Sequence, residues 1–170
     1  FPFITSTLQQ EAANKLNFPA KKTMRIAQKL YEGVDVKDGQ EGLITYMRTD
    51  STRFSEGFVK DAQNYIRSEF GQEYVGFYKV KENSNAQDAH EAIRVTHIEY
   101  TPEFLKDILS ADELKLYSLI YARSLASLMS SPKTKTITVT LAQKGYEFIA
   151  KGSKLEFDGY LKVYGKYESS

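Results

Sequence analysis

The chain has 170 residues, no cysteine, 41% hydrophobic and 26% charged residues, and a formal net charge of +1. That length holds one good core, or one domain and part of a second. The missing thiols exclude a disulfide framework and a thiolate metal site and suit a reducing compartment, while no apolar run approaches the ~20 residues that span a bilayer and nothing resembles a signal peptide. A cytoplasmic protein without a membrane partner is expected. The opening Phe1-Pro2-Phe3 lacks an initiator Met, so a piece of a longer polypeptide is expected too.

Charge is uneven at the start. Between Phe1 and Leu30 the only acid is Glu11, against Lys15, Lys21, Lys22, Arg25 and Lys29. Such an excess is the footprint of a phosphate backbone, and equally of a solvated helix face. Ser6-Thr7-Leu8-Gln9 reads as a capping box with Ser6 as N-cap, opening a helix to about Leu16 with Leu8, Ala12 and Leu16 inward. Asn17-Phe18-Pro19 breaks it. A second helix is predicted from about Ala20 to Glu32, with Met24, Ala27, Leu30 and Tyr31 buried and Gly33 as its stop. Lys21, Arg25 and Lys29 are spaced by four and form one basic stripe on it, which either contacts DNA or faces solvent. Two short helices with a tight break, the second basic, fit a helix-turn-helix arrangement.

Val34 to Glu41 reads as a polar loop with Asp38-Gly39 as its turn. Gly42-Leu43-Ile44-Thr45-Tyr46-Met47-Arg48-Thr49-Asp50-Ser51 begins like a buried strand and ends in a polar cluster. Ser55 caps a third helix through Phe70, with Phe58, Ala62, Tyr65 and Ile66 inward and Gly71 at its end. Lys79 to Asp88 reads as a polar loop carrying Lys79, Lys81, Ser84, Asn85 and Gln87, feeding one helical turn at Ala89-His90-Glu91-Ala92-Ile93-Arg94. Thr101-Pro102-Glu103 starts a short helix ending near Leu109, and the capping box Ser110-Ala111-Asp112-Glu113 opens the longest helix, to about Met129. Its wide apolar face belongs at the centre of the helical part.

After Pro132 the period becomes alternating: Ile137, Val139 and Leu141, a turn at Lys144-Gly145, then Tyr146, Phe148 and Ala150. Leu155 to Tyr164 adds another strand or two around Asp158-Gly159. The expected fold is a mainly α, helix-turn-helix-related domain over residues 1–131. A small antiparallel β segment follows over residues 132–170, part of a domain whose other strands lie elsewhere.

Two polar knots could carry chemistry. A phenol titrates near 10, so Tyr46 becomes a nucleophile only where something favours its phenolate. In an extended segment Arg48 shares its face and could stabilise the phenolate or grip a phosphodiester bidentately, with Asp50 holding Arg48 in place. Thr49, Ser51 and Thr52 are hydroxyls suited to phosphate. A partly buried strand tyrosine beside a surface arginine explains the same spacing. His90 and Arg94, four apart, form the second knot, either a phosphate-binding or proton-handling pair or a capping histidine in a loop. Two histidines in unrelated settings and no Asp-x-Asp pair leave no carboxylate cage for a metal.

Four blocks, in this order and spacing, resemble the type IA DNA topoisomerase family in its bacterial topoisomerase I form. They are Pro2 to Gln10, Lys22 to Glu32, the GLITYMRTDST block from Gly42, and AHEAIR from Ala89 to Arg94; similarity extends to Phe157-Asp158-Gly159. The resemblance implies that Tyr46 attacks a phosphodiester of single-stranded DNA, forming a 5′-phosphotyrosyl bond and freeing a 3′-hydroxyl. It gives Arg48 the scissile phosphate, puts His90 near the tyrosine with Arg94 as a companion, and implies relaxation of negatively supercoiled DNA without ATP by a monomer in the bacterial nucleoid. The strands after Pro132 would enter the arch domain. Two departures stand out. Val95 replaces the family's usual proline, a change expected only to alter the turn. The toprim domain, which in the family holds Mg²⁺ and a proton-transferring glutamate, has no counterpart here. Poor cleavage by this chain alone follows, with no cofactor of its own and with the toprim and remaining arch domains as its partners. The runner-up is a non-catalytic helix-turn-helix DNA-binding module, which explains the basic stripe but neither polar knot. A tyrosine recombinase would need spaced catalytic arginines that are not seen.

Overall fold

The computed structural model describes residues 1–37, 39–79, 90–143 and 146–167, with residues 135–154 described by backbone alone. The helices among them are α1 Thr5–Leu16, α2 Ala20–Glu32, α3 Glu56–Glu69, α4 Pro102–Leu105, α5 Ala111–Ala126 and α6 Leu161–Tyr167. The strands are β1 Val34–Asp35, β2 Gln40–Glu41, β3 Lys133–Gln143 and β4 Tyr146–Phe157.

α5 is the axis of the helical body. Its capping box forms as expected: Glu113 N–H donates to Ser110 Oγ at 3.3 Å, and Ser110 N–H donates to Glu113 Oε1 at 2.9 Å. Leu116, Tyr117, Ile120, Tyr121 and Leu125 are fully buried. Burying each apolar side chain of that size contributes roughly 1.5–3 kcal/mol, and the two tyrosines bury their rings only because their hydroxyls find partners. Tyr121 donates to the Ile98 carbonyl at 2.8 Å, and Tyr117 to that of Tyr100. Helices α1 and α2 pack on each other and both pack on α5, while α4 and α6 cover its other sides. Asn17 in the left-handed region (φ 57°) ends α1, Gly33 ends α2, Ser55 Oγ caps α3 and Thr101 Oγ1 caps α4.

Several expectations change. Helix α1 starts at Thr5 rather than after Ser6, because Thr7 Oγ1 accepts the Ile4 N–H at 3.0 Å and Ile4 becomes the N-cap. The Val34–Glu41 loop contains a two-rung hairpin, Val34 opposite Glu41 and Asp35 opposite Gln40; Asp38 of its turn lies outside the described residues. So do Lys144-Gly145, and Lys81, Ser84, Asn85 and Gln87 of the expected polar loop. Strand β4 runs unbroken to Phe157, paired with β3 from Lys133↔Phe157 to Gln143↔Tyr146, so Leu155–Phe157 belongs to it rather than to a new strand.

The stretch after Gly159 is a helix, not a strand. Gly159 takes φ 51°, and a Cβ there would lie 2.4 Å from the Ser130 carbonyl oxygen, so the chain can turn this close to the end of α5 only at glycine. The turn drives Val163 into full burial and sets Tyr167 edge-on to Tyr121, centroids 5.1 Å apart. Burial at i and i+4 selects the helical period here. The hairpin therefore leaves and re-enters the helical body, and its base is sealed where the Tyr74 hydroxyl donates to Asp158 Oδ1 at 2.6 Å.

That bond pushes the Tyr74 phenol from 10.0 up to about 12, and burial raises Tyr117, Tyr121 and Tyr167 as well. A folded state that favours the neutral phenol is fully stabilised below pH 10 and loses that stabilisation as pH rises through 12. Thermal melts should therefore show a falling Tm across this window, with a shallower fall in Tyr74→Phe; parallel curves would show that the Asp158 bond is not the coupling.

Candidate functional site

The Tyr46 block forms an extended segment held by neighbours on both sides. Leu43 N–H donates to the Leu30 carbonyl in the last turn of α2 at 2.9 Å, Thr45 N–H to the Arg94 carbonyl at 2.9 Å, and Thr96 N–H to the Leu43 carbonyl at 3.0 Å. Ile44 and Val95 form an antiparallel bridge. Thr45 Oγ1 donates to the Ala92 carbonyl at 2.8 Å and accepts the Arg94 N–H at 2.9 Å. At the head of the block a Cβ on Gly42 would lie 2.8 Å from the Tyr31 carbonyl oxygen, so the approach to α2 requires glycine.

Burial then alternates. Met47 is buried, while Tyr46, Arg48 and Asp50 are exposed, so these three share one outward side as the period of two requires. Tyr46 is 47% exposed, and its ring meets Tyr31 edge-to-face at 5.3 Å and 63°. Tyr31 was expected on the buried side of α2. It is instead 41% exposed, because it occupies the last turn, where α2 abuts the Tyr46 block rather than the core.

Arg48, Thr49, Asp50 and His90 come together around an open cleft of about 490 Å³ whose other wall is Ile4, Thr5 and Ser6. That wall is the N-terminus of α1, where the helix dipole favours an anion, although the Ile4 and Thr5 amides are already paired with Thr7 Oγ1 and the Thr49 carbonyl. Arg48 adds a fixed charge and His90 an exposed imidazole, so the cleft suits a phosphate. Thr5 locks its two walls together. Its N–H donates to the Thr49 carbonyl at 3.0 Å, and its hydroxyl donates to the Met47 carbonyl and accepts the Thr49 N–H, each at 2.8 Å. Thr49 Oγ1 and Ser51 Oγ accept the N–H groups of Ser51 and Arg53 and shape the loop beyond. Tyr46 does not line this cleft but stands two residues away on the same exposed side.

Asp50 lines the cleft without pairing with Arg48: no ion pair joins them among the described residues. Residues 90–94 are not helical either, and Ala89 of the expected helical turn lies outside the described residues. Ile93 bridges Phe3 and Val95 bridges Ile44, so the β-branched pair extends the chain. His90 is exposed at the cleft, whereas Arg94 turns inward. Its guanidinium lies 4.4 Å from the Phe58 ring centre, 2.9 Å from Glu91 Oε2 and 3.3 Å from Ser55 Oγ. The turn expected at Val95 is absent, and its N–H donates to Ser124 Oγ at 3.3 Å, a bond proline could not make. Lys21, Arg25 and Lys29 are exposed on α2, away from the cleft lining. The sequence reading missed Thr5, Ser6 and Tyr31; the hydroxyl run Thr5-Ser6-Thr7 at a helix start was the available signal for the first two. Among the described residues no group of three or more His, Asp or Glu side chains could hold a metal ion.

Removing the Thr5 hydroxyl as Thr5→Val leaves the Thr49 N–H without its acceptor in a half-buried setting, an expected loss of about 1–3 kcal/mol. Chemical denaturation measures it, and an unchanged midpoint would show that the α1 contact does not hold the Tyr46 block.

The sequence profile of the family described as DNA topoisomerase matches residues 1–170. DNA topoisomerase 1 of Campylobacter jejuni is 49% identical over 168 residues, covering 96% of this chain and 24% of that protein. DNA topoisomerase 1 of Rickettsia felis is 50% identical over 169 residues, 96% of this chain and 22% of its own length. The structure of full-length topoisomerase I from Thermotoga maritima superposes with a TM-score of 0.81 at 48% identity, over 96% of this chain and 26% of that one. The chain thus spans about a quarter of the length of these relatives. With the profile matched end to end and the fold shared at this identity, the chain belongs to the DNA topoisomerase family.

Proposed function

We propose that this chain is the tyrosine-bearing part of a type IA topoisomerase, in which Tyr46 links transiently to single-stranded DNA. The observation that carries the reading is the exposed Tyr46–Arg48 edge beside an open cleft walled by the α1 N-terminus and His90. Attack by Tyr46 Oη on phosphorus forms the phosphotyrosyl bond and breaks the bond to O3′, which leaves as a hydroxyl. Charge grows on the non-bridging oxygens during this step. Arg48, His90 and the dipole of α1 are what would neutralise it, the electrostatic stabilisation on which such a step depends. Thr49, Asp50 and Ser51 shape the strand's path past the phosphate. Arg94 serves by fixing Glu91, Ser55 and the backbone beneath His90 rather than by touching DNA.

The family resemblance also implies Mg²⁺. The described residues offer no ligand set for it, so this reading leaves the metal to the rest of the polypeptide, and no step here runs through it. Residues 1–131 with the returning residues 157–167 form the tyrosine-bearing unit, and the β3–β4 hairpin reaches into the arch domain. The whole enzyme would act as a monomer on negatively supercoiled DNA in the bacterial nucleoid, opening one strand, passing another and resealing without ATP. Among the described residues no helix is long and apolar enough to cross a membrane.

The test uses the full-length enzyme carrying this segment, single-stranded oligonucleotide and a denaturant trap. Tyr46→Phe should give no covalent adduct, and adduct in that variant would remove Tyr46 as the nucleophile. Arg48→Ala should bind DNA within a few-fold of the parent but cleave about 10²–10³-fold more slowly, the scale of one lost transition-state donor. A non-catalytic helix-turn-helix module, the reading favoured by the Lys21/Arg25/Lys29 stripe, would form no adduct in any variant.

A further inference from the structure

A second groove, of about 610 Å³, opens beyond the loop that ends the Tyr46 block. Asp50 and Ser51 form its near end, and Asp50 also lines the Arg48 cleft, so the two depressions share a wall. Arg53, Phe77, Tyr78 and Lys79 continue it. Phe77 is 90% exposed. A single exposed phenylalanine is ordinary; its company is not.

Tyr78 is held inward. Its ring stacks on Phe54 at 5.9 Å and 23°, and its hydroxyl accepts the Phe54 N–H at 2.8 Å. Phe77 and Lys79 on either side of it are therefore both exposed. A free aromatic face and an ammonium two residues apart, with Arg53 in the same wall, are the two elements single-stranded nucleic acid binding uses: a stacking platform for a base and cations for the backbone. Neither Arg53 nor Lys79 forms an ion pair with another described residue. Among the described residues Asp50 is the one carboxylate in the lining, and it lines the first cleft as well.

We propose that this groove is a binding site for the single strand next to the scissile phosphate, with one unpaired base stacked on Phe77 and its backbone drawn to Lys79 and Arg53. The inference rests on the proposed cleavage at Tyr46 and extends it: the strand crosses Arg48 and His90, passes Asp50 and Ser51, and is gripped again at Phe77. Stacking accepts any base, so the contact at Phe77 holds the strand without choosing a sequence.

The experiment is an aromatic-against-base cycle in the full-length enzyme carrying this segment. Kd is measured by anisotropy for a single-stranded oligonucleotide of defined cleavage site and for a series with one abasic nucleotide moved along it. Phe77→Ala should weaken the intact strand about 5- to 100-fold, the range of one lost stacking contact, while Phe77→Tyr stays near the parent. One abasic position should weaken the parent similarly yet change nothing further in Phe77→Ala. Lys79→Ala should lower the salt slope by about one. Unchanged affinity and an unchanged abasic profile in Phe77→Ala overturn the proposal, as they would if another domain of the enzyme covers Phe77. The denaturant-trapped adduct separates the two readings. Adduct formation with no Phe77 effect removes only the groove, whereas absence of adduct in the parent removes the nucleophile.

Discussion

Residues 92–96 are the constraint on which the rest of the site depends. This extended run lies in no multi-stranded sheet, yet its backbone groups are matched one by one. Ala92 N–H meets the Arg53 carbonyl, Ile93 N–H that of Phe3, Arg94 N–H the Thr45 hydroxyl, and Thr96 N–H the Leu43 carbonyl. Val95 N–H reaches Ser124 Oγ on α5. A buried backbone donor left unpaired costs as much as a lost hydrogen bond, so each match also fixes the segment that supplies it. The run thereby aligns the N-terminal arm, the Tyr46 block and the central helix, three parts of the chain far apart in sequence.

What this alignment produces is one cleft where Arg48, His90 and the N-terminus of α1 meet beside the Asp50 carboxylate. The cleft draws on one arginine, one imidazole and the amide end of α1, and Thr5 ties that end to the backbone on either side of Arg48. Arg94 illustrates the division of labour. It lies four residues from His90 in the same block, yet it is absorbed by Phe58, Glu91 and Ser55.

The β hairpin attaches by a different logic. Its base is sealed by Tyr74 against Asp158 and by the return of the chain as α6, whose Val163 and Tyr167 pack on the helical body. The hairpin can therefore extend away while both of its ends stay anchored within a few residues of one another.

Local chemistry was legible wherever it is settled within a few residues. The caps at Ser55, Thr101 and Ser110, the stop at Gly33, the span of α2 and the outward alternation of Tyr46 and Arg48 all follow from side-chain hydrogen bonds or from period alone. So did the family, because the ordered blocks carry it. Three features were not legible, for one shared reason. The extended form of His90–Arg94, the helix after Gly159 and the exposure of Tyr31 against Tyr46 each depend on partners about 15 to 90 residues away. A short apolar or polar run satisfies more than one period, and only the distant groups that complete its hydrogen bonds or cover its apolar face select among them. The sequence by itself thus marked Tyr46, Arg48, His90 and Arg94 as candidates by their chemistry. Tertiary structure decided which of them meet: it set His90 and the α1 terminus beside Arg48 and turned Arg94 into the core, because long-range hydrogen bonding and burial outweigh local preference.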